Sequence, residues 1–206
     1  MLDFSTLIYR IPAFLFAISI HEYAHAQCAD SLGDPTSRFS GRLTLNPLAH
    51  IDPLGAFMLI LCGFGWAKPV SVDTRYFKNP TRDFLKVSLA GPGANLFLCF
   101  LSMFLLALMS KMGILSPGVR QLLIWMAHIN VWFAFFNLLP VPPLDGSRII
   151  TMLLPPDMAW KFDSFLSQYG MFVLVALIVL GVTDIFIKPL ANGYLLLVNS
   201  FLGIFF

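Results

Sequence analysis

The residues of this chain best suited to chemistry stand at positions 21 to 25, in the pentapeptide HEYAH. Its histidines are four residues apart, so a helix projects both imidazoles from one face toward a single point. Two neutral imidazoles at that spacing can bind a divalent metal, and zinc is the commonest occupant. Glu22 lies about 100° around the helix from His21. A carboxylate there stands beside a metal rather than ligating it, and can take a proton from an attacking water.

HExxH also arises by chance on soluble helices, and here the surroundings decide. Upstream lies LIYRIPAFLFAISI, a stretch suited to lipid. An ionisable group deep in a span costs roughly 2.5–3.5 kcal/mol on insertion scales. One carboxylate and two imidazoles at ligand spacing in such a segment point to a site.

A catalytic zinc takes three protein ligands and keeps one position open. The strongest third candidate is Asp145, in NLLPVPPLDGSRI. Pro140, Pro142 and Pro143 forbid a regular helix there, and broken backbone at membrane depth is tolerated only inside protein or along a wet cavity. The other reading of Asp145 is a cap on a short helix from Gly146 to Leu154. His50 and Asp52, in NPLAHIDPLG, suit loop anchoring or gating better than ligation. His128, near the outer end of its span, reads as a packed or hydrogen-bonded histidine and Cys28 as a core thiol. Asn95, in LAGPGANLF, and Asn137, just before the proline break, either tie helix to helix or hold a substrate backbone or developing oxyanion.

The elements that must position these groups are membrane helices. The chain is 58% hydrophobic and 12% charged, whereas soluble domains carry about a quarter charged residues. Its mean hydropathy of +0.79 agrees. A net charge of +2 with no basic run excludes a nucleic-acid surface, and three widely spaced cysteines exclude a disulfide framework or a CxxC knuckle. No basic stretch precedes the first apolar run, so a cleavable signal peptide is not expected.

Segments at 5–29, 84–110, 122–139 and 166–187 are long and apolar enough to span, and 190–206 is near the lower limit. The run at 54–65 is short and is expected to re-enter. Seven of the thirteen Lys and Arg fall between residues 30 and 86, which places that region on the cytoplasmic side. His21, His25 and Asp145 then share the cytoplasmic half of the membrane. SRFSGRLTLNP and WAKPVSVDTRYF carry β-branched residues flanked by Gly and Pro, so short strands or a hairpin are expected at the cytoplasmic membrane surface. The expected fold class is therefore an all-α polytopic membrane protein of five to six segments, including the re-entrant one. Residues 1–206 form one membrane-embedded domain, with a catalytic core at about 5–155 and C-terminal helices at about 166–206.

HEYAH in a first span, AGPGAN opening a later one and NLLPVPPLDG in a third together resemble the site-2 proteases, the intramembrane zinc metalloproteases. The likeness covers roughly residues 15 to 155. It implies His21, His25 and Asp145 as ligands of one Zn²⁺ per chain, Glu22 as general base, and Asn137 as an aid to substrate binding. GRLTLNPLAHIDPLG and GWAKPV are similar to a compact prokaryotic subgroup without PDZ or CBS domains. The expected activity is hydrolysis of peptide bonds in or near transmembrane segments of membrane proteins or peptides, in the lipid bilayer of a plasma membrane. A metal transporter or sensor should spread its acidic and histidine groups along a path. A zinc-bearing scaffold should close the site with a fourth ligand.

Overall fold

The structure is a computed structural model of the chain and describes residues 4–55 and 67–206. These α-helices run in chain order: α1 (Phe4–Ser31), α2 (Thr36–Phe39), α3 (Pro80–Lys111), α4 (Pro117–Asn137), α5 (Asp145–Leu153), α6 (Pro156–Val179) and α7 (Val182–Leu202). Single 3₁₀ turns occupy Pro47–Ala49 and Thr74–Tyr76. Of these helices, α3, α4, α6 and α7 are long and apolar enough to cross a membrane. They make the chain a multi-pass membrane protein. The chain divides into two compact units, Leu15–Ala94 and Met1–Phe14 with Asn95–Phe206.

In the first unit, α1 ends where Gly33 takes φ +107°, a left-handed value that favours glycine. The chain beyond is tied down by side chains. Asn46 accepts from the Leu48 amide and caps Pro47–Ala49, while Asp73 accepts from the Arg75 amide and caps Thr74–Tyr76. Ala29, Phe77 and Val87 form a small apolar core, with Cys28, Leu32, Val72 and Phe84 packed around it. The head of α3 is fixed by Asp83, which accepts from the Asn79 amide at 3.0 Å and pairs with Lys86 at 2.7 Å.

The expected strands do not form among the described residues. An isolated antiparallel bridge joins Ile51 to Ala67, supported by the Lys68 amide donating to the His50 carbonyl at 2.8 Å. Residues 36–39 are helical instead. Pro47 and Pro69 supply no ladder donor, and buried side chains take the backbone groups that a sheet would have used. The expected re-entrant run at 54–65 falls almost wholly outside the described residues.

In the second unit, Ser116 caps α4 and Pro117 opens it. That start lies five residues before the expected one at 122, and the Ser-Pro pair is the signal for it. Cys99, Ala127, Val131, Ile187 and Ala191 form the core, in which the small Ala127 and Ala191 let helices approach closely. The Tyr194 hydroxyl donates to the Leu96 carbonyl at 2.8 Å, fastening α7 to α3. The expected span at 166–187 is corrected: Gly181, at φ +69°, ends α6 and starts α7 in its midst. Glycine reaches that conformation without strain, so an apolar run that reads as one span becomes two helices.

Candidate metal and catalytic site

The HEYAH motif lies wholly within α1, and its three polar groups are buried at 3%, 8% and 7% exposure for His21, Glu22 and His25. The two imidazoles meet through their Nε2 atoms at 3.0 Å, ring centroids 4.6 Å apart and planes at 81°. His25 Nδ1 lies 2.7 Å from the Val87 carbonyl oxygen. A carbonyl only accepts, so Nδ1 carries the proton and Nε2 presents its lone pair toward His21.

Two imidazole nitrogens at tetrahedral positions of one zinc would be about 3.3 Å apart. The observed 3.0 Å separation, the fixed tautomer and the burial fit that ion. Gly91 strengthens the fit. A methyl group added there would lie 2.3 Å from His25 Nε2 and 2.7 Å from His21 Cε1. Val87 and Gly91, one turn apart on α3, thus shape the space around the pair from one helix face. One supplies a carbonyl and the other the absence of a side chain.

Glu22 is held by a different element. Its Oε2 accepts from the Val70 amide at 3.1 Å. Val70 sits in the non-helical segment 67–73, so a backbone donor fixes the carboxylate beside the histidines. Farther along, Arg75 hydrogen-bonds the Asp73 carboxylate at 2.6–3.0 Å and holds its pKa below the ordinary carboxylate value.

In the second unit, Asp145 is the first residue of α5 and half-buried. Leu144 occupies the N-cap and makes no side-chain capping hydrogen bond, which puts Asp145 one position inside the helix. Gly146 has a steric reason. A methyl there would meet the Leu138 and Leu139 carbonyl oxygens at 2.2 and 2.4 Å, because the chain folds back through the Pro142–Pro143 break. Gly170 of α6 lets that helix lie against Pro142, whose ring is 3.1–3.3 Å from where its Cβ would be.

Asn137 ends α4 and donates from Nδ2 to the Phe133 carbonyl at 2.9 Å. Asn95 is fully buried and donates to Asn130 Oδ1 at 2.7 Å, while Asn130 donates to the Met126 carbonyl at 2.8 Å. The Asn95 amide therefore ties α3 to α4. His50 is fully buried, bonds the Thr44 carbonyl through Nε2 at 2.8 Å, and leaves Nδ1 without a hydrogen-bond partner among the described residues. Asp52 accepts from the Gly55 amide at 2.8 Å. Both fit loop anchoring. His128 bonds the Ile124 carbonyl, one turn back, at 2.9 Å.

Val87 and Val70 escape the sequence reading, because they act through backbone atoms that every residue shares. Gly91 is legible there as a small residue that permits close helix approach, but only the structure sets it against the histidines.

The chain is similar in sequence to several known proteins. The model of peptidase family M50 matches residues 112–180. Over 194 residues the chain is 39% identical to YwhC of Bacillus subtilis, named as a presumptive zinc metalloprotease, a match covering 92% of this chain and 88% of that protein. Rip2 of Mycobacterium tuberculosis, named in the same terms, is 32% identical over 192 residues, covering 89% of this chain and 68% of Rip2. MJ0611 of Methanocaldococcus jannaschii, again so named, is 42% identical over 69 residues, 32% of either chain. No solved structure matches at a significant level.

Proposed function

The chain belongs to peptidase family M50, and from that premise we propose that it is an intramembrane zinc metalloprotease that hydrolyses peptide bonds in or near transmembrane segments of membrane proteins or peptides. The buried His21–His25 pair carries this reading, with its tautomer fixed by Val87 and a carboxylate placed beside it. His21 and His25 hold one zinc through Nε2, and Asp145 supplies the third ligand. The LDG turn supports that choice, since it brings a carboxylate to the head of α5. His21, His25 and Asp145 lie in the cytoplasmic half of the plasma membrane, on the strength of the seven Lys and Arg between residues 30 and 86. The catalytic core at about 5–155 and the C-terminal helices act as one domain.

A zinc held there would supply Lewis acidity to the scissile carbonyl and to water. The rest is done by the chain. Glu22 takes a proton from the attacking water as its oxygen bonds to the carbonyl carbon, then delivers that proton to the nitrogen as the C–N bond breaks. The products are a carboxylic acid and an amine, which become a carboxylate and an ammonium as the acid's proton passes to the amine. Asn137 helps to hold the substrate backbone. Asn95 contributes through Asn130, by fixing α4, which ends at Asn137.

A substrate helix must unwind before its carbonyl is exposed, and an extended docking edge would hold it in that form. The candidate edges are residues 38–46 and 68–76, and in the latter Val70, Ser71 and Asp73 already commit backbone groups to Glu22, Ser37 and Asp34. Ser71→Pro would then reduce cleavage, and full activity in that variant would count against the docking edge.

The direct test is Glu22→Gln assayed on a reconstituted transmembrane-segment peptide that the unmodified protein cleaves. Zinc content should stay at one per chain while kcat falls by about 10²- to 10⁴-fold. Unchanged cleavage removes Glu22 as the base, and zinc flux across the vesicle would favour a transporter.

A further inference from the structure

The position of the catalytic carboxylate depends on a segment with no catalytic side chain of its own. Val70, whose amide meets Glu22, is followed by two residues that buried polar groups clamp from another direction. Ser37 donates from Oγ to the Ser71 carbonyl at 3.0 Å. Asp34 Oδ2 accepts from the Asp73 amide at 2.8 Å, and its Oδ1 accepts from the Thr36 amide at 3.0 Å and the Thr36 hydroxyl at 2.5 Å. Asp34 and Ser37 are both completely buried. Between the two anchored residues Val72 packs on the Ala29, Phe77 and Val87 core, so the segment is pinned on polar and apolar sides.

Burying a carboxylate and a hydroxyl is unfavourable unless each is hydrogen-bonded. Here each side chain bonds the backbone of the segment that ends at Glu22. Asp34 and Ser37 also follow directly from α1, the helix that bears Glu22. The base and the clamp on its backbone donor are thus built from one continuous stretch of chain.

We infer that Asp34 and Ser37 are positioning residues for the reaction, holding segment 70–73 so that the Val70 amide fixes the Glu22 carboxylate. The inference rests on Glu22 acting as the base. Loosening the clamp lets the carboxylate leave its place while the metal ligands stay where they are. An ångström of misplacement in a proton-transfer group costs about 10- to 100-fold in rate.

Ser37→Ala, Ser37→Thr and Asp34→Asn would be compared with the unmodified protein and Glu22→Gln, using the same reconstituted peptide. Four quantities are read: kcat, KM, zinc per chain, and deuterium uptake of peptides spanning residues 68–73. Ser37→Ala and Asp34→Asn should exchange faster across 68–73 and lose at least about tenfold in kcat, with KM within about twofold and zinc unchanged. Ser37→Thr, which keeps the hydroxyl, should restore both exchange and kcat. Faster exchange with unchanged kcat overturns the inference, as does a rise in KM alone or a loss of zinc. If Glu22→Gln itself remains active, the failure belongs to the assignment of the base instead.

Discussion

At the scale of single residues, two backbone groups decide what the HEYAH side chains can do. Without the Val87 carbonyl, His25 could carry its proton on either nitrogen, and only one tautomer offers a lone pair to a metal at Nε2. Gly91 sets the space beside that nitrogen. Gly91→Ala should therefore lower zinc content to a small fraction of one per chain, because a methyl 2.3 Å from His25 Nε2 forces the ring to move. Zinc analysis of the purified variant checks this, and full zinc occupancy would contradict it. Asp73 provides a pH-dependent counterpart outside the spans. Its pKa is depressed in the folded chain by the Arg75 hydrogen bonds. The stabilisation is fully present above the ordinary carboxylate value of about 4 and fades as pH falls through the depressed one. Protection factors of the amides across 73–77, taken against intrinsic exchange at each pH, should thus fall in acid, whereas in Asp73→Asn they should be low already at neutral pH and change little below it.

At the scale of elements, breaks matter as much as helices. The proline-rich turn between α4 and α5 returns on itself so closely that position 146 admits no side chain. Gly146→Ala should displace the head of α5 and abolish cleavage while α3, α4 and α7 remain folded. Circular dichroism close to that of the unmodified protein, together with lost activity, is the expected outcome. The α6–α7 break behaves differently. Nothing lies within 4 Å of an added methyl at Gly181, so its constraint is conformational rather than steric. Gly181→Ala should destabilise by about 1–2 kcal/mol, the cost of the left-handed conformation, and a drop in thermal midpoint measures it.

At the scale of the whole molecule, polar groups in lipid are used to hold helices in register. Asn95 and Asn130 form a buried amide pair between α3 and α4. A double-mutant cycle with Asn95→Leu and Asn130→Leu should return a coupling of about 0.6 kcal/mol, with about 1.7 as the upper range for membrane proteins. Orientation is also a property of the whole chain. A cysteine introduced by Lys78→Cys should be labelled by an impermeant reagent only from the cytoplasmic side, and one from Arg120→Cys only from the other. The reverse pattern would overturn the placement of the site in the cytoplasmic half.

The sequence by itself determined the chemistry and the medium. Histidines four apart with a glutamate between them, in an apolar run, admit few readings. The spans expected at 84–110 and 122–139 follow from the scarcity of charge in lipid and lie close to α3 and α4. The tertiary structure decided how those groups are held. It turned the expected strands into side-chain-clamped backbone, split the run at 166–187, and engaged the Asn95 amide with Asn130. It also enlisted Val70 and Val87, whose side chains advertise nothing. The reason is physical: amides and carbonyls are the same at every residue, so which one meets Glu22 or His25 is fixed only when distant segments pack.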